Sequence, residues 1–375
     1  MGRGMLVHTG ISYALDWVVI IAFAAGGGYL GKVRGFRRPF SLADRAIAYP
    51  LKPDIVTLEE AAIACFLGPA IIILVLAFVL PSIRRPDQKR VYSSWRDKFW
   101  DANAGWMGLG VSLAATLFIT SGLKAVVGKP RPNLLAICNA DIENLGNFVV
   151  GGSGSEIESD APAMVTYEIC RPTDLDLFND AFFAFPSGHS SMSWAGLLYL
   201  SLWLCMKLSV VLPYLGQHMP VPDKSTEDVD VVSYYHERRS APPLWKVTIA
   251  MIPIGVALFI CASRYADFHH AGIDIFAGCV IGIICAYTAF RLYHLPVQRG
   301  YGLAWGPRDE ENAYLGDMPW NHRLTRRSPF NTGDEEAGHH HARPSTSAEG
   351  MLEYGGGRGS PQYPMQTFHS PLESR

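Results

Sequence analysis

Charge is scarce in this sequence. Asp, Glu, Lys and Arg make up 18% of the 375 residues, and the net charge is −2. No basic surplus is available to neutralise a phosphate backbone, which excludes nucleic-acid binding. Cysteine is also sparse. Seven are present, and their spacings do not match a zinc site. Cys65, Cys205, Cys261, Cys279 and Cys285 lie in apolar runs and read as small packed hydrophobes. The first apolar run begins at residue 11 behind a weakly basic leader. It is not closed by a small-residue cleavage site, so it reads as a retained helix. The start MGRGML has no Ser or Thr at position six, which argues against myristoylation.

What the sequence has instead is hydrophobic length. About 20 consecutive apolar residues cross the hydrocarbon core as a helix. Four runs qualify clearly: 11–30, 61–80, 104–123 and 191–213. Two more, 243–262 and 271–290, carry Lys246 and Asp274 near their starts, where charge reaches the interface. The expectation is an all-α integral membrane bundle of six transmembrane helices over residues 1–290. Residues 291–375 are rich in Gly, Pro, Ser, His and charge. They cannot bury a core, so a disordered tail is expected. Its run His339–His341 reads as a solvated feature, and Ser328 and Ser370 each precede proline.

Six spans put both termini on one side. Lys and Arg near the spans number 13 on that side and 11 on the other. The positive-inside rule then makes the termini and tail cytoplasmic. The loops 31–60, 132–190 and 263–270 fall on the lumenal or extracellular side. Cys138 and Cys170 share the loop 132–190 and can form a disulfide if it meets an oxidising compartment.

Three polar motifs also fall on that side. The first, KAVVGKPRP at 124–132, ends the third span. Lys124 and Arg131 are two helical turns apart, and a planar guanidinium beside an ammonium suits a phosphate. Alone, the motif reads equally well as a basic headgroup anchor. The second, PSGHSS at 186–191, opens the fourth span. Ser187, Gly188 and His189 would present backbone N–H groups at a helix start, and His189 can give or take a proton. The third is SRYADFHHAGID at 263–274. His270 and Asp274 stand at i and i+4, so the carboxylate can fix the imidazole tautomer. Arg264 ends the fifth span. Asp267 and His269 read as interfacial neighbours outside this constellation. Together the motifs offer a nucleophile, an acid and three cations, the parts that phosphoryl transfer requires.

Lys124 with Arg131-Pro132, then Pro186-Ser187-Gly188-His189, then Ser263-Arg264 with His270 and Asp274 resemble the three signatures of the type 2 phosphatidic acid phosphatase superfamily: K-x6-R-P, P-S-G-H and S-R-x5-H-x3-D. The resemblance covers residues 11–290 and looks closest to the fungal-type lipid phosphate and diacylglycerol pyrophosphate phosphatases. It implies that His270 forms a phosphohistidine, that Asp274 orients it, and that His189 serves the leaving group and then water. Lys124, Arg131 and Arg264, with Ser187 and the Gly188 backbone, would hold the phosphoryl oxygens. The implied substrates are phosphatidate, lysophosphatidate or diacylglycerol pyrophosphate, presented from the bilayer. No metal or other cofactor is expected, because no carboxylate cluster at magnesium spacing is visible on that side.

Two intramembrane charges remain. Asp16 reads as structural, and Lys207 as snorkelling towards the cytoplasmic face. Rival readings are phosphotransfer to an alcohol, a transporter, or an inactive phospholipid-binding homologue. The motif set also resembles vanadate-binding haloperoxidases, which are soluble. The sequence leaves the oligomeric state and the organelle open.

Overall fold

A computed structural model describes residues 3–80, 95–151, 163–208, 210 and 243–294. The tail expected over 291–375, with its histidine run and serines, lies outside them from residue 295 onward. Helix α1 spans Arg3–Leu30. Helix α2, Leu58–Ala62, continues through a π segment, Ile63–Leu67, into α3, Gly68–Val79. Helix α4 is Trp95–Val127. A cap follows, with α5 at Leu134–Cys138 and α6 at Leu175–Asp180. Next come α7, Gly188–Ser193, a second π segment, Trp194–Leu198, and α8, Tyr199–Lys207. The last two helices are α9, Leu244–Ala266, and α10, Gly272–Tyr293.

Five of these are long and apolar enough to cross a membrane: Gly10–Leu30, Leu58–Val79, Trp95–Val127, Leu244–Ala266 and Gly272–Tyr293. The run expected at 191–213 is different. It forms Gly188–Lys207, which is long enough but carries His189, Ser190, Ser191, Ser193, Ser201 and Lys207, so it is less apolar than the other five. The five long helices turn large side chains outward. Ile21, Val79, Phe259 and Ile284 are all exposed. Such surfaces would aggregate in water and are solvated by lipid tails. The chain is a multi-pass membrane protein.

The interior is built around α4 and the α7–α8 run. Trp203, Tyr199, Leu109, Ile73 and Phe290 are fully or almost fully buried and form the largest cluster. Helix α10 approaches α7 closely because Gly278 and Gly282 are spaced by four. A Cβ on Gly278 would lie 2.6 Å from the Ser187 carbonyl oxygen, and one on Gly282 would strike the carbonyl of Ser191. Small residues at this spacing let membrane helices pack backbone to backbone. Here they bring the start of α7 against the start of α10.

The all-α expectation is corrected in the cap. Strands β1 (Phe40–Ser41), β2 (Val149–Gly151) and β3 (Met164–Val165) form an antiparallel sheet in the order β1-β3-β2. Two or three residues are too few for an alternation to be read from sequence. The sheet closes over an apolar cluster that includes Phe40, Ile47, Leu134, Ile169, Phe178 and Phe182. Cys138 and Cys170 join as a disulfide within it.

Lys207 does not snorkel. It is buried and makes an ion pair with Asp101 of α4. An internal carboxylate gives the ammonium a partner that lipid cannot. Asp16 accepts a hydrogen bond from the Tyr293 hydroxyl at 3.3 Å, tying α1 to α10.

Candidate active site

The three motifs meet at one end of the bundle. Lys124 is in the last turn of α4. Gly128 follows with φ of +57°, a left-handed conformation that glycine adopts freely, and a Cβ there would strike the Phe36 carbonyl. The chain turns at this point and carries Lys129 and Arg131 back across the helix ends. The Arg131 amide donates to the Ala181 carbonyl at 2.7 Å. Its guanidinium pairs through one Nη with Asp180 at 2.6 Å.

Ser187 caps α7, its hydroxyl accepting from the Ser190 amide at 3.4 Å. The Phe185–Pro186 peptide before it is cis. A Cβ built on Gly188 would stand 3.3 Å from Lys124 Nζ, so the ammonium lies over the start of α7. The Ser187 amide donates to the Asp274 carbonyl at 3.0 Å, and Thr120 of α4 donates to the Ser191 hydroxyl at 3.0 Å. These bonds tie α4, α7 and α10 together.

His270 is buried in the short link between α9 and α10. Its Nδ1 lies 2.8 Å from the Ala184 carbonyl oxygen. A carbonyl only accepts, so Nδ1 carries the proton and Nε2 keeps the lone pair. Burial, with the Arg131 and Lys124 charges next, holds the imidazole pKa well below its usual range. The ring is therefore held neutral, with Nε2 available as a base or nucleophile.

The expected hydrogen bond between His270 and Asp274 is not among the bonds of the described residues. Asp274 is fully buried and faces two other groups. One carboxylate oxygen accepts from the Ala271 amide at 3.1 Å, capping α10. The other pairs with Lys129 Nζ at 2.7 Å. The orienting acceptor on His270 is a backbone carbonyl, and the carboxylate fixes the helix start beside it.

Arg264 is buried at the end of α9. One Nη donates to Asp54 at 2.6 Å and the other to the Val56 carbonyl at 2.9 Å. His269 Nε2 lies 3.3 Å from Asp54. Asp267, nearly inaccessible, accepts from the Ile55 amide at 3.0 Å. Asp267 and His269 are thus part of the built structure around Arg264, contrary to their reading as bystanders.

These contacts also correct the expectation that this side offers no acidic cluster. One potential ligand atom from each of Asp54, Asp267 and His269 lies within 4.8 Å of the others. Arg264 already sits against both carboxylates, at 2.6 and 3.8 Å. A divalent cation would have to compete with that guanidinium.

Three nitrogens, one from each motif, are buried without a hydrogen-bond partner among the described residues: Arg131 Nε, His189 Nε2 and Arg264 Nε. Both arginines engage carboxylates through Nη and keep Nε uncommitted. Other buried groups, among them Trp203 Nε1 and both His294 ring nitrogens, are also without a partner among the described residues, so it is the placement of these three in the motifs that makes them candidates to meet an anion. Sequence reading missed Lys129, although it lies inside the first motif, because nothing local tells it from the basic residues on either side. Asp54 and Ala184 carried no local signal at all.

The sequence has relatives among known proteins. It is 29% identical to a PA-phosphatase related-family protein of Dictyostelium discoideum, over 87% of each chain. It is 26% identical to diacylglycerol pyrophosphate phosphatase 1 of Saccharomyces cerevisiae, over 70% of this chain and 73% of the yeast protein. It is 24% identical to probable lipid phosphate phosphatase 4 of Arabidopsis thaliana, over 78% and 75% respectively. No solved structure matches it. Residues 105–297, just over half the chain and including all three motifs, match the PAP2 superfamily, to which this protein therefore belongs.

Proposed function

We propose that this protein removes the terminal phosphate from membrane lipid phosphates, in phospholipid metabolism and signalling, through a phosphohistidine intermediate. The observation that carries the reading is the meeting of the three motifs at one end of the bundle, with Lys124 over the start of α7, the Ser187 amide on the Asp274 carbonyl, and His270 Nδ1 committed so that Nε2 keeps its lone pair. Its substrate class follows the relatives, whose names specify lipid phosphate and diacylglycerol pyrophosphate. Phosphatidate and lysophosphatidate present the same headgroup chemistry.

In the first step His270 Nε2 attacks phosphorus while the bond to the lipid oxygen breaks. His189 supplies the proton that this oxygen needs. In the second step His189 accepts a proton from water, which attacks phosphorus and releases phosphate and free His270. Lys124, Arg131 and Arg264 offset the charge on the equatorial oxygens, helped by Ser187 and the Gly188 amide. Such charge stabilisation is the main protein contribution to phosphoryl transfer. Asp274 acts through Lys129 and the start of α10. The three cations supply the charge that a metal would otherwise bring, so turnover should persist in chelator.

In this reading the Gly188–Lys207 run is the sixth span, the termini are cytoplasmic, and the site faces the lumen or the exterior. The Cys138–Cys170 disulfide supports that orientation, since such bonds persist in oxidising compartments. Residues 1–290 then form the phosphatase, and 291–375 a cytoplasmic tail.

The test uses full-length protein in detergent with phosphatidate, lysophosphatidate and diacylglycerol pyrophosphate, in EDTA. Wild type should release inorganic phosphate, and His270→Ala should abolish release at unchanged melting temperature. Phosphate that appears instead in a new phospholipid would identify a transferase. Activity that needs added magnesium, or survives in His270→Ala, would overturn the scheme.

A further inference from the structure

Residues 49–56 lie outside the family match at 105–297 and ahead of α2. They nonetheless touch most of the link that carries His270. Tyr49 stacks on Phe268 at 4.7 Å between ring centroids, and Lys52 Nζ stands 4.4 Å over the same ring. Phe268 has a φ of +59°, a costly conformation for a non-glycine residue unless its surroundings enforce it. The Ile55 amide donates to Asp267. Asp54 meets both Arg264 and His269, and the Val56 carbonyl takes the other Nη of Arg264. The sequence separation between Asp54 and Arg264 is 210 residues, so this is tertiary design and not a local turn.

We infer that the 49–56 segment is a strap across the active-site link, and that its Asp54 is a positioning residue that sets the phosphate-binding pose of Arg264. The inference rests on the proposed phosphatase reading for the identity of the anion.

The geometry gives Asp54 this role in two ways. A guanidinium held at both Nη groups cannot rotate about its Cδ–Nε bond, so Nε–H keeps one direction. Arg264 Nε is the group left uncommitted. Without Asp54, the remaining anchors would be the Val56 carbonyl and Asp267 at 3.8 Å. That longer contact cannot substitute for a charge-assisted bond at 2.6 Å. Asp54 also braces His269, the residue immediately before His270. Burial raises the Asp54 pKa, but the Arg264 hydrogen bond and charge outweigh this and leave it below the usual carboxylate range. The carboxylate is therefore ionised wherever the enzyme works at neutral pH.

The experiment compares wild type, Asp54→Asn, Asp54→Ala and Asp54→Glu as full chains in detergent. Three quantities are read: kcat and KM on phosphatidate, orthovanadate affinity by calorimetry, and melting temperature. Loss of a partner that orients a metal ligand typically costs about 10- to 100-fold, and an oriented guanidinium is expected to follow the same order. Asp54→Asn and Asp54→Ala should therefore weaken vanadate binding and lower kcat/KM by that order in protein that is still folded, since the Val56 carbonyl and Asp267 keep contact with the buried guanidinium and limit the fall in melting temperature. Asp54→Glu should recover part of both. In an Arg264→Lys background, adding Asp54→Ala should cost less than threefold, because Asp54 acts through the guanidinium.

Unchanged vanadate affinity in Asp54→Ala would overturn the inference. So would an undiminished Asp54→Ala effect in the Arg264→Lys background, or losses that merely follow melting temperature. The vanadate arm separates the two readings. A wild type inert on every lipid phosphate, yet binding vanadate in an Asp54-dependent way, would count against the phosphatase and not against the strap.

Discussion

At the scale of single residues, His270 combines three conditions that rarely coincide. It is buried, its Nδ1 proton is committed to a carbonyl, and cations surround it. Burial and the cations favour the neutral ring and outweigh the carbonyl bond, which alone would favour the charged one, so the sign of the pH dependence is fixed. An ordinary histidine titrates near ~6.5. Here protonation in the folded state requires more acid. The acid limb of kcat/KM, which reports the free enzyme, should therefore lie below that value. The same shift affects stability. The contribution of a neutral His270 is complete above the ordinary pKa, and it is lost as pH falls from there through the lowered one. A profile from pH 4.5 to 8 checks both, and an acid limb at or above 6.5 would contradict the burial argument. Sequence alone marked His270 and its spacing to Asp274, because both lie in one short stretch. It could not show that the histidine turns to Ala184 and the carboxylate to Lys129. Each choice depends on how the cap folds back over the helix ends.

At the scale of elements, the site depends on how closely α7 and α10 can approach. Gly278 and Gly282 remove the side chains that would separate them, and the Ser187 amide to Asp274 carbonyl bond forms across the contact. The atoms met by a Cβ at Gly278 include the backbone of α7, which cannot rotate away. Gly278→Ala should destabilise the protein by about 1–3 kcal/mol, the usual cost of overpacking a tight core. It should also lower kcat by shifting the start of α10 relative to α7. Gly255 in α9 has open space around its Cβ position. Gly255→Ala should leave kcat and melting temperature near wild type, which makes it the matched control. Equal effects at both positions would refute the close-approach account. The hydrophobic runs announced the long helices because lipid exposure demands apolar side chains on every outward face. The Gly188–Lys207 run matched its expectation less well, since its seat in the interior relaxes that demand and admits serines, a histidine and a paired lysine.

At the scale of the whole molecule, the two ends of the bundle are built differently. One end gathers the three motifs under the cap. Towards the other, Asp101 and Lys207 form a buried ion pair between α4 and α8. Lys124 lies 23 residues after Asp101 on the same helix, about 35 Å at the helical rise per residue. A change at the pair should thus affect folding far more than chemistry. Removing one partner strands a charge in a medium that cannot solvate it, typically at about 3–5 kcal/mol. Lys207→Met and Asp101→Leu should each lower the melting temperature in detergent markedly. The double substitution should recover most of the loss, since a buried pair can often be replaced by apolar groups of similar size. Activity per folded molecule should stay within about twofold in all three, given the distance to the site. If the single substitutions melt like wild type, the pair is solvated and the interior is wetter at that end than its burial implies. If the double variant folds well but has lost activity, the helices transmit strain along their length, and the two ends of the molecule are not independent.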